Sequence, residues 1–213
     1  MKSDLIEEMR RCRLVAIARH VPENRICGCA EAVLNAGIDF LEITFDPSDP
    51  DTVSDVSGKV ETVRNHFPML HVGCGTVLNS AFAAAAGNSG AAFAVAPNTK
   101  ADVIAEAHRL GMIAIPGAYT PCEIANAYDM GADVVKIFPV LPGCHGYVSN
   151  VMSPLSHIPF MVTGGINAQT IHDMLATGAV AVAAGVTILR TDLVAAGDWR
   201  GITALAKQML ENI

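Results

Sequence analysis

The sequence is poor in charged and aromatic residues, and it lacks the patterns of several common functional classes. Charged residues make up 16% of the 213-residue chain and aromatic residues 5%. The net charge is −7, and lysine and arginine are not clustered, which excludes a basic face for nucleic acid. Glycine, proline or a charge interrupts every apolar run before it reaches membrane-spanning length. We therefore expect neither a nucleic-acid partner nor a membrane partner.

Cysteine and histidine are present, but without the spacing of a metal or disulfide site. The six cysteines are not paired as in a disulfide framework or zinc site, and the seven histidines form no HxH or HxxxH pattern. We expect buried free thiols, no metal and no cofactor. The segment from Met1 to Arg11 is charged and amphipathic and lacks the apolar core of a signal peptide. These features predict a cytoplasmic protein.

The apolar content and its periodicity predict one α/β domain over residues 1–213. Half of the residues are hydrophobic, with no composition break or linker. After an N-terminal helix, eight strand–helix units follow one another, which favours a (β/α)8 TIM barrel over the alternative of a doubly wound sheet. The predicted strands are 13–18, 39–44, 69–73, 92–96, 113–115, 133–138, 160–163 and 180–184. The predicted helices are 23–35, 52–65, 79–86, 100–110, 120–130, 147–155, 167–177 and 199–210.

Polar residues and glycines fall at or just after the carboxyl ends of these strands. In a (β/α)8 barrel that face carries the active site, so these side chains are expected to converge on one mouth. The set comprises Arg19, Glu42, Thr44, Gly73 to Thr76, Pro97, Asn98, Pro116, Gly117, Lys136, Thr163 to Gly165, and Gly185.

A lysine and a glutamate interrupt two apolar strands of this pattern. Lys136 shares one strand face with Phe138, while Val135 and Ile137 share the other. A buried lysine has a lowered pKa, which supplies a free amine able to attack a ketone and form a Schiff base. Glu42, on a different strand, is a candidate proton shuttle. A core ion pair without chemistry is the alternative interpretation.

The remaining mouth residues are candidates for anion binding. Thr163 to Gly165 and Gly185 follow the last two strands, where barrels often bind phosphate, although such glycines also serve tight turns. Thr76 supplies a hydroxyl for a carboxylate, or alternatively caps the next helix. The planar guanidinium group of Arg19 can hold a carboxylate or phosphate through two parallel hydrogen bonds. The alternative is that Arg19 is a solvated surface residue.

Six motifs in this order carry a family resemblance over about residues 15–189. They are Leu41-Glu-Ile-Thr44, Gly73-Cys-Gly-Thr-Val-Leu78, Ala96-Pro-Asn98, Ile115-Pro-Gly117, Val135-Lys-Ile-Phe-Pro139 and Thr163-Gly-Gly-Ile166. Together they resemble the 2-keto-3-deoxy-6-phosphogluconate (KDPG) aldolase family, which includes 4-hydroxy-2-oxoglutarate aldolases and a phosphogalactonate-specific branch.

The resemblance implies a class I aldolase, commonly a homotrimeric (β/α)8 barrel with a lysine Schiff base and no metal. Carried over, Lys136 matches the Schiff-base lysine, Glu42 the general acid/base, and Thr76 the threonine that binds the pyruvyl carboxylate. The resemblance places the remaining matched positions in the pocket lining (Pro97, Phe138 and Thr163) or the phosphate-binding backbone (Gly164, Gly165 and Gly185).

Two positions depart from the family pattern. Many members have an arginine four residues after the glutamate, in Glu-x-Thr-x-Arg, where this chain has Asp46. Asp46 would repel a carboxylate if it pointed inward, so either it turns away or the substrate differs. The family's Gly-Gly-Ser is replaced by Ala184-Gly-Val186, so the serine hydroxyl is lost, with Thr187 as the neighbouring hydroxyl. Some phosphogalactonate-type members also lack the arginine.

We therefore predict an aldolase that cleaves a 2-keto-3-deoxy or 4-hydroxy-2-oxo acid to pyruvate and an aldehyde, with a phosphorylated sugar acid as the leading substrate. The aldehyde would be glyceraldehyde 3-phosphate or glyoxylate. Two alternatives are a phosphosugar isomerase or epimerase on the same barrel, and a non-catalytic ligand-binding relative. An isomerase or epimerase needs no buried amine, so Lys136 argues against it, and the presence of both Lys136 and Glu42 argues against a non-catalytic relative.

Overall fold

A computed structural model describes residues 2–213, so Met1, the first residue of the predicted domain, lies outside the described residues. Nine strand segments form one parallel sheet in the order β5-β4-β3-β2-β1-β9-β8-β7-β6. They are β1 (Leu14–Ala18), β2 (Phe40–Thr44), β3 (His71–Gly75), β4 (Phe93–Val95), β5 (Ile113–Ile115), β6 (Gly117–Ala118), β7 (Val135–Ile137), β8 (Phe160–Thr163) and β9 (Ala181–Ala184).

The segments β5 and β6 are two halves of one barrel strand, separated by Pro116. Proline has no backbone N–H, so the ladder is interrupted there. β5 pairs with β4 and β6 pairs with β7, and the Lys136 N–H donates to the Pro116 carbonyl at 2.8 Å. The sheet therefore runs round into an eight-stranded barrel, which confirms the predicted fold class over the doubly wound alternative.

Ten helices lie in residues 2–213. They are α1 (Lys2–Cys12), α2 (Glu23–Ala36), α3 (Thr52–His66), α4 (Ser80–Asn88), α5 (Ala101–Arg109), α6 (Pro121–Asp129), α7 (His145–Met152), α8 (Ile171–Ala176), α9 (Thr191–Ala196) and α10 (Trp199–Leu210). The sequence prediction missed α9 and started α8 four residues too early. Asn167 was expected to begin that helix, but its side chain accepts from the N–H groups of Gln169 and Thr170 in a preceding turn.

Strand alternation separates two apolar clusters, as the two-residue periodicity requires. Val135 and Ile137 belong to the cluster between the sheet and the surrounding helices. Val15, Ile17 and Met161 belong to the cluster that fills the barrel interior. Because Lys136 lies between two outward-facing residues, it points into the barrel, as predicted.

Helix α1 closes the amino-terminal end of the barrel. Met9 is fully buried in the interior cluster. Glu8 meets His71, at the start of β3, with 2.7 Å between Oε2 and Nε2. Lys2 meets Asp133, just before β7, at 3.3 Å. One end of the barrel is therefore covered, and the other is left for a ligand. None of the helices within residues 2–213 is both long and apolar enough to cross a membrane.

Replacing Met9 by alanine should lower the free energy of unfolding by about 2–5 kcal/mol, because it leaves a cavity in the barrel interior. Urea unfolding followed by circular dichroism measures the change. Arg10→Ala is the matched control, since the Arg10 side chain is half exposed and should matter little. Equal, small effects of both variants would mean that α1 does not contribute to the cooperative core.

Candidate active site

The centre of the site consists of Lys136 and Glu42. They lie on β7 and β2, which are the sixth and second strands of the barrel and therefore stand opposite each other. Both side chains point inward, with 5% of Lys136 and 1% of Glu42 exposed. The ionic groups of both residues therefore lie inside the open end of the barrel.

The surroundings of Lys136 favour its neutral form. Burial lowers the pKa of its ammonium group, the Glu42 carboxylate acts against that shift, and Arg19 adds to it. Nζ lies 4.8 Å from the centroid of the Phe138 ring, and this cation–π contact stabilises the protonated form of Lys136 to some extent. The result is an amine that loses its proton more easily than a solvated lysine.

The surroundings of Glu42 favour its protonated form. Burial raises the pKa of the carboxyl group, while Lys136 and then Arg19 act in the opposite direction. Neither of its two buried oxygens has a hydrogen-bond partner among residues 2–213. A buried polar group without a partner is costly, so this carboxyl is set to hydrogen-bond a ligand.

Gly75 makes room for this carboxyl group. A side-chain carbon at position 75 would overlap the carboxyl group of Glu42. Gly73 pairs with Glu42 across the strands, and a side chain there would overlap the ring of Phe93. The two glycines of the Gly73-Cys-Gly-Thr76 motif therefore shape the interior beside Glu42, whereas Cys74 faces the helices.

Arg19 and Thr76 meet above the barrel interior. The Nη2 group of Arg19 donates to Oγ1 of Thr76 at 3.2 Å. Thr76 has φ +58° and His20, next to Arg19, has φ +52°, a left-handed backbone that costs on the order of 1–3 kcal/mol for such residues. Arg13, before β1, has a similar φ of +61°, so this conformation is not confined to the open end of the barrel. Thr76 does not cap the next helix, since Asn79 caps α4.

Asp46 turns away from the interior. Its carboxylate accepts from the hydroxyl of Ser48 at 2.6 Å and from the Ser48 N–H at 3.0 Å, and it lies 3.5 Å from Nδ1 of His20. These hydrogen bonds from Ser48 are the main reason that the pKa of Asp46 is lowered. The side chain lines an outer cavity of about 250 Å³ near α3, together with Lys59. Asp46 therefore leaves the site free for a carboxylate ligand.

Thr163, Gly164 and Gly165 end β8 beside the interior. Oγ1 of Thr163 is buried and has no partner in the described part of the chain. Gly164 and Gly165 have φ of +111° and +58°, and side chains there would overlap the backbone of Val140 and the ring of Pro142. The two glycines thus allow the loop after β7 to pack closely on the mouth.

The loop after β9 is apolar at its surface. Gly185 accepts from the N–H groups of Ile188 and Leu189 in a tight turn. Val186 is 71% exposed, and Oγ1 of Thr187 is buried without a partner within residues 2–213. The Thr187 hydroxyl is therefore directed into the protein, whereas Val186 forms the exposed surface of the loop.

Pro97 and Phe138 line a side cavity of about 380 Å³ at the same end of the barrel. The sequence analysis missed several further residues of its wall, among them Tyr119, after β6, and Asn126, within α6. Their only sequence signal is the position of Tyr119 just after a strand end. A larger cavity of about 730 Å³ lies at the opposite end, beside α1 and the carboxyl terminus, away from Lys136.

The geometry places Lys136, Glu42 and Thr163 inside the open end of the barrel with Arg19 and Thr76 above it, whereas Pro97 and Phe138 line a side cavity at the same end. The site combines an amine with a lowered pKa, a carboxyl group without a partner among residues 2–213 and an arginine–threonine pair. Such a set can form a Schiff base with a keto acid and move a proton beside it. Within residues 2–213, no group of three or more His, Cys, Asp or Glu side chains is arranged to hold a metal ion.

Comparison with known proteins agrees with this arrangement. The family model "KDPG and KHG aldolase" matches residues 5–205. The 2-dehydro-3-deoxy-phosphogluconate aldolase of Treponema pallidum is 28% identical over 98% of this chain and 97% of the relative. The enzyme of that name from Pseudoalteromonas atlantica is 31% identical over 84% of this chain and 81% of the relative.

Solved structures share the fold. The native KDPGal structure has a TM-score of 0.83 at 23% identity and covers 93% of each chain. The KDPG aldolase of Legionella pneumophila, with pyruvate captured as a covalent carbinolamine, has a TM-score of 0.81 at 23% identity and covers 92% of each chain. The model match over nearly the whole sequence, with a relative above 30% identity, decides the assignment: this chain belongs to the KDPG and KHG aldolase family.

Proposed function

We propose that the protein is a class I aldolase that reversibly cleaves a 4-hydroxy-2-oxo acid to pyruvate and an aldehyde. The observation that carries the proposal is the pair of buried ionisable groups, Lys136 and Glu42, on opposite strands of the open barrel end. Burial lowers the pKa of Lys136 and raises the pKa of Glu42, so the charged form of each group is disfavoured. We therefore assign the pair a role in proton transfer rather than that of a static ion pair.

The first step is attack of the neutral Lys136 amine on the C2 ketone. The C–N bond forms to give a carbinolamine, whose hydroxyl takes up the proton held by Glu42 and leaves as water, so that a protonated imine and an ionised Glu42 remain. This fixed positive charge in a buried site favours the ionised form of Glu42, because an opposite charge lowers a carboxyl pKa. Schiff-base formation therefore converts Glu42 into the base that the next step needs.

The second step breaks the bond between C3 and C4. Glu42 takes the proton of the C4 hydroxyl, the C4–O bond becomes a carbonyl, and the electron pair of the broken bond moves into the protonated imine to give an enamine. The aldehyde then leaves. Glu42 returns its proton to C3, and water hydrolyses the imine to release pyruvate and free Lys136. The hydroxyl of Thr163 is buried and has no hydrogen-bond partner among residues 2–213, so it is placed to bind a substrate oxygen during these steps.

The assembly and location of the protein remain predictions. Family resemblance favours a homotrimer, and a cytoplasmic location agrees with the six cysteines, which are all free. Gel filtration with light scattering would test the first, and fractionation of the source cells the second.

Borohydride reduction in the presence of pyruvate should attach the reduced pyruvyl group to Lys136. The hydride converts the imine to a secondary amine, and intact mass followed by peptide mapping identifies the residue. Lys136→Met should abolish both the adduct and turnover. Lys59→Met is the matched control, because Lys59 is equally buried but lies on α3 and pairs with Asp55. An adduct on another lysine, or full turnover in Lys136→Met, would refute the mechanism.

Replacing Glu42 by glutamine should reduce turnover by about 10²- to 10⁴-fold, the usual contribution of a general acid/base, and still allow adduct formation. Because the Glu42 carboxylate raises the pKa of Lys136, its removal should shift the pH midpoint of trapping to lower pH. Trapping rates across pH measure this shift. Glu61→Gln, on the exposed face of α3, is the control. An upward shift or an unchanged turnover would contradict the assignment.

Replacing Gly75 by alanine should displace the Glu42 carboxyl group, since the added carbon overlaps it. A displacement of about 1 Å can cost roughly 10²-fold in rate, so turnover should fall while pyruvate trapping on Lys136 persists. Gly58→Ala is the control, because nothing lies within 4 Å of the added carbon in α3. Steady-state kinetics and thermal unfolding distinguish a displaced carboxyl group from a general loss of stability.

A further inference from the structure

We propose that the amino-terminal end of the barrel carries a second ligand site, which binds a small phosphorylated molecule with an apolar portion. The site is a cavity of about 480 Å³ that is lined by Arg10, Arg13 and His172 together with apolar side chains. The inference goes beyond the proposed aldolase function and does not depend on it, because Lys136 and Glu42 lie at the open end of the barrel.

Three separate elements bring the polar side chains to this cavity. Arg10 belongs to the last turn of α1, Arg13 links α1 to β1, and His172 is the second residue of α8. Their N–H donors can therefore approach a ligand from more than one side. A tetrahedral phosphate, with three oxygens that accept hydrogen bonds, suits such a set better than a planar carboxylate.

The donors of these side chains are largely unused. Neither Arg13 nor His172 has a hydrogen-bond or ion-pair partner among residues 2–213. Arg10 makes one ion-pair contact, 3.5 Å between its Nε and Oε1 of Glu7, which leaves its Nη groups available. By contrast, Arg190 on the protein surface is held by a carboxylate through two hydrogen bonds. None of the described residues that line the cavity has a side-chain carboxylate that would repel an anion.

The backbone fixes the place of Arg13 in the cavity wall. Arg13 has φ +61° and directly follows α1, and its N–H donates to the carbonyl of Met9 at 2.8 Å. Its own carbonyl accepts from the N–H of Val182, in β9, at 2.9 Å. Glycine is the usual residue in this left-handed position after a helix, so the turn itself does not need an arginine. The guanidinium group therefore starts from a point that α1 and the sheet hold on both sides.

The carboxyl ends of α1 and α8 lie near the cavity, and by themselves they would disfavour an anion. Several of their last carbonyls are engaged. Met9 accepts from Arg13, and Met174 and Leu175 accept from the N–H groups that follow α8. The carboxyl group of the chain end, at Ile213, forms no ion pair with the described residues. The guanidinium groups are therefore the groups that remain available to a ligand.

The rest of the wall indicates that the ligand is more than a free phosphate ion. Leu175, Ala179 and Ile213 line the cavity and pack, partly buried, against the apolar cluster between sheet and helices. A cavity of this size accommodates a ligand as large as a typical metabolite. Inorganic phosphate would leave the apolar wall exposed to water, whereas a phosphate monoester with an apolar portion would cover it. The predicted ligand class is therefore a small organic phosphate.

The experiment compares phenyl phosphate with inorganic phosphate and phenol, each of which has only one of the two features. NMR amide shifts of Gly178 and Ala179, in the cavity wall, report binding at this place and not at the barrel mouth. We expect phenyl phosphate to bind more tightly than either fragment. Arg13→Gln should weaken its binding about 10- to 100-fold, the usual effect of losing a hydrogen bond between charged groups. Arg13→Lys, which keeps the charge without the planar group, should give an intermediate loss.

Two further variants serve as a second test and a control. His172→Ala leaves the Arg13 backbone untouched and should weaken binding about 3- to 10-fold, the usual range for one hydrogen bond. Arg200→Gln is the matched control, because Arg200 is also exposed and without a partner among residues 2–213, but it lines a different cavity with Glu31. It should change nothing.

Four results would overturn the inference. They are shifts confined to the barrel mouth, unchanged binding in both Arg13→Gln and His172→Ala, an equal loss in Arg200→Gln, and binding of phenol as tight as that of phenyl phosphate. Equal losses would reveal unspecific attraction to positive charge, and tight phenol binding an apolar cavity without a phosphate site. The NMR spectrum of each variant also shows directly whether it is folded. Pyruvate trapping on Lys136 tests the aldolase function separately, so the failure of one proposal is distinguishable from that of the other.

Discussion

The site depends on the burial of two ionisable groups inside a barrel that is otherwise filled with apolar side chains. In water, a lysine and a glutamate would both be charged at neutral pH. Inside the barrel each charged form is penalised by burial. Glu42 reduces the penalty on Lys136, and Lys136 and then Arg19 reduce the penalty on Glu42. The resting pair is electrically neutral whether the proton lies on the amine or on the carboxyl. While the iminium ion is present, the nitrogen of Lys136 keeps a positive charge, and this charge favours the ionised form of Glu42.

The interior around this pair shows how backbone chemistry makes room for it. Glycines at positions 73 and 75 remove side chains where a ring and a carboxyl group need space. Thr76, which accepts from Arg19 above the same opening, has a left-handed backbone. Local preference is overridden at these positions, and Gly75 is in direct contact with the Glu42 carboxyl group. Such conflicts between local propensity and the fold are expected at functional sites.

Much of this was predictable from sequence, for physical reasons. Strand positions follow from apolar runs, and the two-residue alternation correctly points Lys136 inward between Val135 and Ile137. Glu42 is similarly conspicuous as a charge in an apolar strand. What the sequence did not reveal depends on tertiary contacts. Asp46 is directed outward by Ser48 and His20, and α9 is a six-residue helix whose pattern is too short to detect. The strand break at Pro116 also required the structure.

The strand that contains Pro116 joins the two walls of the barrel, because its first half pairs with β4 and its second half with β7. The first wall, β1 to β5, positions Arg19, Glu42 and Thr76. The second, β6 to β9, carries Lys136 and Thr163. Lys136 and Glu42 therefore stand on opposite walls, which are joined through the strand that contains Pro116 and through the pairing of β9 with β1. The gap between amine and carboxyl group is thus set by the cross-section of the whole barrel and not by any one pair of neighbouring strands.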